Sequence, residues 1–171
     1  MNQLNFLNNQ DKDFACKKGE FNYWKLFIDG ASRNNPGPAG AGVYLLKNDK
    51  KVVQEGFFIG IKTNNQAEYL ALLIGIFYLK KNMCKEDIAM IISDSQLLVR
   101  QMLGEYKVKN SDLRPLYQLS NRLLSGINYN IAHVLRHENK EADKMANVGI
   151  DEGKKLPQDF IDVLREYEIQ I

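Results

Sequence analysis

The chain has 171 residues, room for one globular domain with spare length at its ends. Hydrophobic residues make up 44% and charged residues 26%, an ordinary balance for a soluble protein able to bury a sizeable core without disulfides or structural metals. The formal net charge of +2 is too small to name a partner, and scattered lysine pairs such as Lys50-Lys51 and Lys80-Lys81 read as solvated surface.

Residues 1–22 are rich in Asn and Gln, with few periodic apolar positions, and are expected to form a mobile leader. They lack the basic start and apolar run of a secretory signal, and their acids and lysines argue against a mitochondrial transit peptide. The longest apolar run, Tyr69 to Leu79, falls short of the roughly 20 residues needed to span a membrane. A cytoplasmic location without membrane contact follows by default. Cys16 and Cys84 lack the paired spacing of a zinc site or disulfide framework, so both are expected to be free thiols.

Tyr23 to Asp29 is a β-rich run ended by Gly30. A Gly/Pro/Asn loop is expected over Ala31–Gly40, then a strand over Ala41–Leu46. A turn at Lys47–Lys50 leads to a hairpin partner, Val52–Ile59. Thr63-Asn64-Asn65 offers N-capping side chains for a helix running to about Lys81. That helix is apolar on nearly every face, which calls for burial against a sheet. Ile88–Ser93 reads as a short strand, followed by helical patterns over Ser95–Leu103 and Leu113–Leu124. Ile127–His133 reads as a fifth strand, Asn139 to about Gly149 as a helix, and Gln158–Tyr167 as a last one after Pro157. A hairpin series followed by strand–helix alternation predicts an α/β domain over residues 23–150, with a C-terminal tail over 151–171.

Most acids lie in charge-mixed stretches, but four do not. Asp29 ends Leu26-Phe27-Ile28, and Asp94 ends Ala89-Met90-Ile91-Ile92-Ser93; an acid at the end of a buried strand is costly without a partner. Glu68 is placed in the first turn of the buried helix, and Asp143 early in a helix with core-facing Ala142, Met145, Ala146 and Ile150. Three of them have plainer readings, as a helix-dipole partner for Glu68 and Asp143 or a turn residue for Asp94. Taken together, two acids at strand ends and two at helix starts can converge at one edge of an open α/β sheet. Clustered carboxylates are tolerable around divalent cations, and oxygen-only ligands favour Mg²⁺ or Mn²⁺.

The words around these acids resemble the motifs of the ribonuclease H family. Phe27-Ile28-Asp29-Gly30-Ala31-Ser32, running on to Gly40, resembles its opening motif, and Thr63-Asn64-Asn65-Gln66-Ala67-Glu68 its second. Ser93-Asp94-Ser95 resembles the third, and His133 to Asp143 the fourth in its shorter-loop version. The resemblance covers roughly Tyr23 to Gly149 and implies a five-stranded mixed sheet, its first three strands antiparallel, with helices on both faces. It implies an endonuclease hydrolysing the RNA strand of RNA–DNA hybrids, with two Mg²⁺ ions (or Mn²⁺) on Asp29, Glu68, Asp94 and Asp143, leaving 5′-phosphate and 3′-hydroxyl ends. Asn35, Asn64 and Asn65 match positions that contact the hybrid's minor groove. Their plainer readings are a turn residue before Pro36 and helix caps.

His137 falls where longer-loop members carry a histidine that assists proton transfer or product release. Shorter-loop members often have an acid there, and an idle surface histidine is an equal reading. His133, in the strand, reads as structural. The basic, tryptophan-containing insertion of some members is reduced to Gly104–Asn110, leaving Lys107, Lys109, Arg100 and Arg114 as candidate phosphate contacts. The leader does not resemble the hybrid-binding module of other members. Competing expectations are a DNA-cutting integrase or resolvase, and a nucleic-acid-binding module that keeps the fold without catalysis. The paired asparagines and Asp-Gly-Ala-Ser word argue against the first, and retention of all four acids against the second. With Met1 at its start and no polymerase segment, the chain is expected to be a monomeric enzyme rather than a reverse-transcriptase fragment.

Overall fold

The structure, a computed structural model, describes residues 21–171; most of the expected leader, and Cys16, lie outside the described residues. Strands β1 (Tyr23–Ser32), β2 (Gly37–Lys47) and β3 (Lys50–Lys62) form an antiparallel meander. The remaining elements are α1 (Asn64–Asn82), β4 (Ile88–Ser93), α2 (Gln96–Met102), α3 (Leu113–Leu124), β5 (Asn128–His133), α4 (Lys140–Glu152) and α5 (Gln158–Glu166). The sheet order is β3-β2-β1-β4-β5, with β4 parallel to both β1 and β5.

The meander strands outrun their expected bounds. Most of the Ala31–Gly40 segment is ladder: Ala31 pairs with Gly40 and Ser32 with Ala39, leaving only residues 33–36 to turn the chain. Backbone pairing there overrode a composition that signals loop, because ladder bonds do not need a bulky side chain. The hairpin between β2 and β3 turns on Asn48 and Asp49, both at positive φ (48° and 62°), the pattern of a two-residue turn matching the strand twist.

Side-chain alternation assigns the two faces. Leu26, Ile28 and Gly30 of β1 look toward α1, where Gly75 sits against Leu26 and Ile28. Asp29 pairs with Gly42 and shares its face, the one α4 covers; a Cβ on Gly42 would come within 2.1 Å of the Ala142 carbonyl oxygen. Helices therefore lie on both faces, as expected. Helix α1 is buried nearly all round because the sheet lies on one side and α3 on the other. The C-terminal α5 also seats on it, with Phe160 fully buried and its ring edge-on to Phe77 at 5.4 Å.

Asp87 closes the end opposite the acids. Fully buried, it accepts from Trp24 Nε1 and the Asn22 backbone N–H at 2.8 Å each, and from the Cys84 N–H and Asn22 Nδ2 at 3.0 Å each. Cys84 is disulfide-bonded, correcting the expectation of a free thiol. Sequence spacing reports little about this, since a disulfide depends on approach in space.

Candidate metal centre

Parallel pairing of β1 and β4 sets two of the acids side by side. Phe27 pairs with Ile92, so Asp29 and Asp94, each two residues further on, emerge at the same edge of the sheet. Gly30 then allows α1 to cross that edge closely: a Cβ at Gly30 would lie 2.2 Å from the Glu68 backbone nitrogen. Oxygen atoms of Asp29, Glu68 and Asp94 consequently lie within 4.8 Å of one another.

Glu68 is not in the first turn of its helix, as expected from the sequence, but a residue beyond it. Thr63 is the N-cap, accepting from the Gln66 N–H at 3.2 Å and completing a capping box. The dipole reading of Glu68 accordingly weakens. Its Oε2 is buried and has no hydrogen-bond partner. Burial first, then Asp29 and Asp94, push its carboxyl well above the ordinary range, opposed by a Gly30 N–H. Asp29, only 6% exposed, is pushed up to about 8 by burial, then by the charges of Asp94 and Asp143 and a hydrogen bond with Asp94, with Arg136 opposing. Two strained carboxyls in an oxygen-only set fit a hard divalent cation.

Asp143, in the first turn of α4, lies outside this tight group. Its Oδ1 accepts from Arg136 Nη2 at 2.7 Å, and it acts on Asp29 through its charge. The turn carrying Asp94 is held by serines: Ser95 N–H donates to Ser93 Oγ at 3.0 Å, and Ser95 caps α2. His133 Nε2 donates to the Asp94 carbonyl oxygen at 3.2 Å, consistent with a structural role.

Asn139 was not singled out by sequence reasoning, which read it only as a helix start. It is 1% exposed, and its Nδ2 donates at 2.9 Å both to the Ile28 carbonyl and to Asp94 Oδ1. Burial of an Asn side chain inside the fourth motif cannot be read from the motif alone.

Asn35 Oδ1 accepts from the Asn64 N–H at 2.8 Å, and Asn64 Oδ1 from the Ser32 N–H at 2.9 Å, so these residues knit the β1–β2 turn to α1. Neither Asn64 nor Asn65 is the cap. Asn35 and Asn65 line an exposed cleft with Thr63, Gln66 and Asn110. His137 is exposed in the short 3-10 turn Arg136–Glu138, beside Arg136 rather than within the carboxylate group. Lys107 and Lys109 are exposed between α2 and α3. Arg100 is engaged locally, 5.2 Å over the Tyr106 ring and 3.9 Å from Glu105, whereas Arg114 is exposed.

Residues 27–149 match the family described as Reverse transcriptase-like. The chain is 40% identical over 128 residues to a Ribonuclease HI of Halobacterium salinarum, a match spanning 74% of this chain but only 63% of that relative. It is 32% identical over 150 residues to a Ribonuclease H of Pseudomonas fluorescens, covering 78% of this chain and 94% of the relative. The crystal structure of the Halobacterium salinarum RNase H1 superposes with a TM-score of 0.72 at 36% identity, covering 76% of this chain and 98% of that one. LC11-RNase H1, solved in complex with an RNA/DNA hybrid, gives 0.70 at 32% identity, over 75% and 97% of the two chains. Motifs, sheet order and relatives agree: the chain belongs to the ribonuclease H family.

Proposed function

We propose that this protein is an endonuclease that hydrolyses the RNA strand of RNA–DNA hybrids, using two Mg²⁺ ions, for which Mn²⁺ can substitute. The observation that carries the reading is the convergence of Asp29, Glu68 and Asp94 within 4.8 Å, with a buried, unpartnered oxygen on Glu68. Such a group is poorly stable without a cation and well suited to one. Kinship with an RNase H1 solved on an RNA/DNA hybrid supports the substrate.

In this reading Asp29, Glu68 and Asp94 would hold the cations, with Asp143, which is paired with Arg136 here, as the fourth carboxylate available to them. The chemistry supplied by the bound pair is activation of the attacking water and stabilisation of the leaving 3′-oxygen. Asn35, Asn64 and Asn65, on the rim between β1 and α1, meet the minor groove of the hybrid and its 2′-hydroxyls. Lys107 and Lys109 hold backbone phosphates, as positioning contacts that carry no sequence information. His137 assists proton transfer from an exposed turn, where it can also reach solvent. One chain supplies all four acids, so a monomer suffices as the working form. No helix among the described residues is long and apolar enough to cross a membrane, and the cytoplasmic assignment rests on the sequence.

The products test the mechanism. Cleavage of a labelled hybrid should leave 5′-phosphate and 3′-hydroxyl ends, and a 2′-deoxy substitution beside the scissile phosphate should suppress cutting there. Ends carrying a 2′,3′-cyclic phosphate would instead point to attack by the RNA's own hydroxyl and overturn the reading.

A further inference from the structure

We infer that Asn139 is a positioning residue for the carboxylate site, fixing Asp94 relative to β1. The inference rests on the metal-site reading above.

Asn139 stands at the junction of three elements that carry the acids. Its Nδ2 spans the Ile28 carbonyl, one residue before Asp29, and the Asp94 carboxylate, at 2.9 Å each. Its own carbonyl accepts from the Asp143 N–H at 3.1 Å, at the start of α4. One buried residue therefore links the middle of β1, the residue after β4 and the helix bearing the fourth acid.

The chemistry of the two acceptors fixes the amide. A backbone carbonyl can only accept, so the one atom that faces both it and Asp94 Oδ1 must present N–H bonds. Asn139 Nδ2 does so, while its Oδ1 is left buried without a partner. Forgoing an acceptor's partner costs stability, and the arrangement retains it while both donor hydrogens stay on these oxygens. Aspartate, of the same shape, would turn an oxygen toward two oxygens. A carboxylate pinned at one oxygen can still offer the other to a cation. Because Asn139 is 1% exposed, it can act on catalysis only through Asp94 and the β1 backbone beside Asp29, not by touching substrate.

Partners of metal ligands are typically worth ten- to a hundredfold in metal affinity or activity. Asn139→Ala and Asn139→Asp should each lower kcat by that factor, with KM for the hybrid nearly unchanged. The decisive readout needs no turnover. Mg²⁺ binding to the substrate-free protein, followed by calorimetry, should weaken ten- to a hundredfold in Asn139→Ala. In Asn139→Asp the Asp94 carboxylate should lose its donor, and Mg²⁺ binding should depart from wild type by a similar factor. Val163→Ala, a core change in α5 remote from the site, serves as the control for lost stability and should leave the Mg²⁺ affinity alone. A merely structural Asn139 would lower the melting temperature, like Val163→Ala, without moving the Mg²⁺ affinity. That result in either Asn139 variant would overturn the inference, so if the alanine variant fails to fold, the aspartate variant decides. No Mg²⁺ binding by the wild-type protein would instead sink the metal-site reading itself.

Discussion

Replacing Asp29 with asparagine should stabilise the cation-free protein while removing its activity. The substitution preserves shape and deletes one carboxyl from a buried group that repels itself. With its carboxyl pushed up to about 8 from an ordinary 3.8, Asp29 keeps a proton at pH 7 in the folded chain that the unfolded chain has released. The sign follows from linkage: an acid whose folded value is raised costs stability progressively as pH climbs from its ordinary value to its folded one. From pH 3.8 to pH 7 there are about three tenfold steps, each worth about 1.4 kcal/mol, so the ceiling is about 4 kcal/mol. Polar relaxation around the cluster brings the expected gain to about 2 kcal/mol, or ~4–8 °C in Tm for a chain of this size. Thermal melts in EDTA should show the two proteins converging near pH 4 and separating up to about pH 8. Saturating Mg²⁺ should reverse the order, since a ligand that binds only the folded form stabilises by mass action and the variant binds it less. Equal melting temperatures in EDTA at pH 7.5, or a gap that does not change with pH, would refute the reasoning.

Four further outcomes are expected. Asp87→Ala should cost about 3 kcal/mol, since it strands buried donors from Trp24, Cys84 and Asn22, and denaturant melts will measure it. Burial alone would raise the Asp87 carboxyl, but those donors outweigh it and hold the group below its ordinary value. Its stabilisation is therefore present above the ordinary value and lost as pH falls through the lower folded one, so wild type should lose more than Asp87→Ala on acidification below pH 4. Phe160→Ala should cost about 3–5 kcal/mol through lost packing on Phe77, without altering the Mg²⁺ requirement; a surface-sized loss would show that α5 is dispensable. Doubly replacing Lys107 and Lys109 with alanine should make the salt dependence of hybrid binding shallower by about two in log–log slope, and an unchanged slope moves the phosphate contacts elsewhere. His137→Ala should lower kcat by roughly ten- to a thousandfold with Mg²⁺ dependence intact; turnover near wild type across pH 6–9 would reduce His137 to a surface residue.

Much of the site was legible because its acids sit in short contiguous words. Phe27-Ile28-Asp29-Gly30 and Ile92-Ser93-Asp94 each join a buried strand segment to its acid, although β1 runs on past Asp29 to Ser32. Sequence left open how those ends meet, since the parallel register of Phe27 with Ile92 is a long-range property. Strand lengths were underestimated where glycine, proline and asparagine suggested loop over Ala31–Gly40, although only residues 33–36 lie outside the strands. Glu68 was placed too early in its helix because three adjacent polar residues could each have been the cap, and only the Thr63 hydrogen bonds decide among them. Asn139 was illegible as a site residue for a different reason. Its spacing says helix start, while its role depends on a carbonyl 111 residues earlier in the chain.

The central claim is tested most directly by presenting one labelled RNA strand in four settings: paired with DNA, paired with RNA, single-stranded, and replaced by DNA of the same sequence in duplex. Wild-type protein with Mg²⁺ should cut the RNA only in the hybrid. Cleavage should stop on adding EDTA and be lost in Asp94→Asn, whose folding is checked by its melting curve. Equal cutting of double-stranded RNA or DNA, or hybrid cleavage that survives both EDTA and Asp94→Asn, would contradict the account.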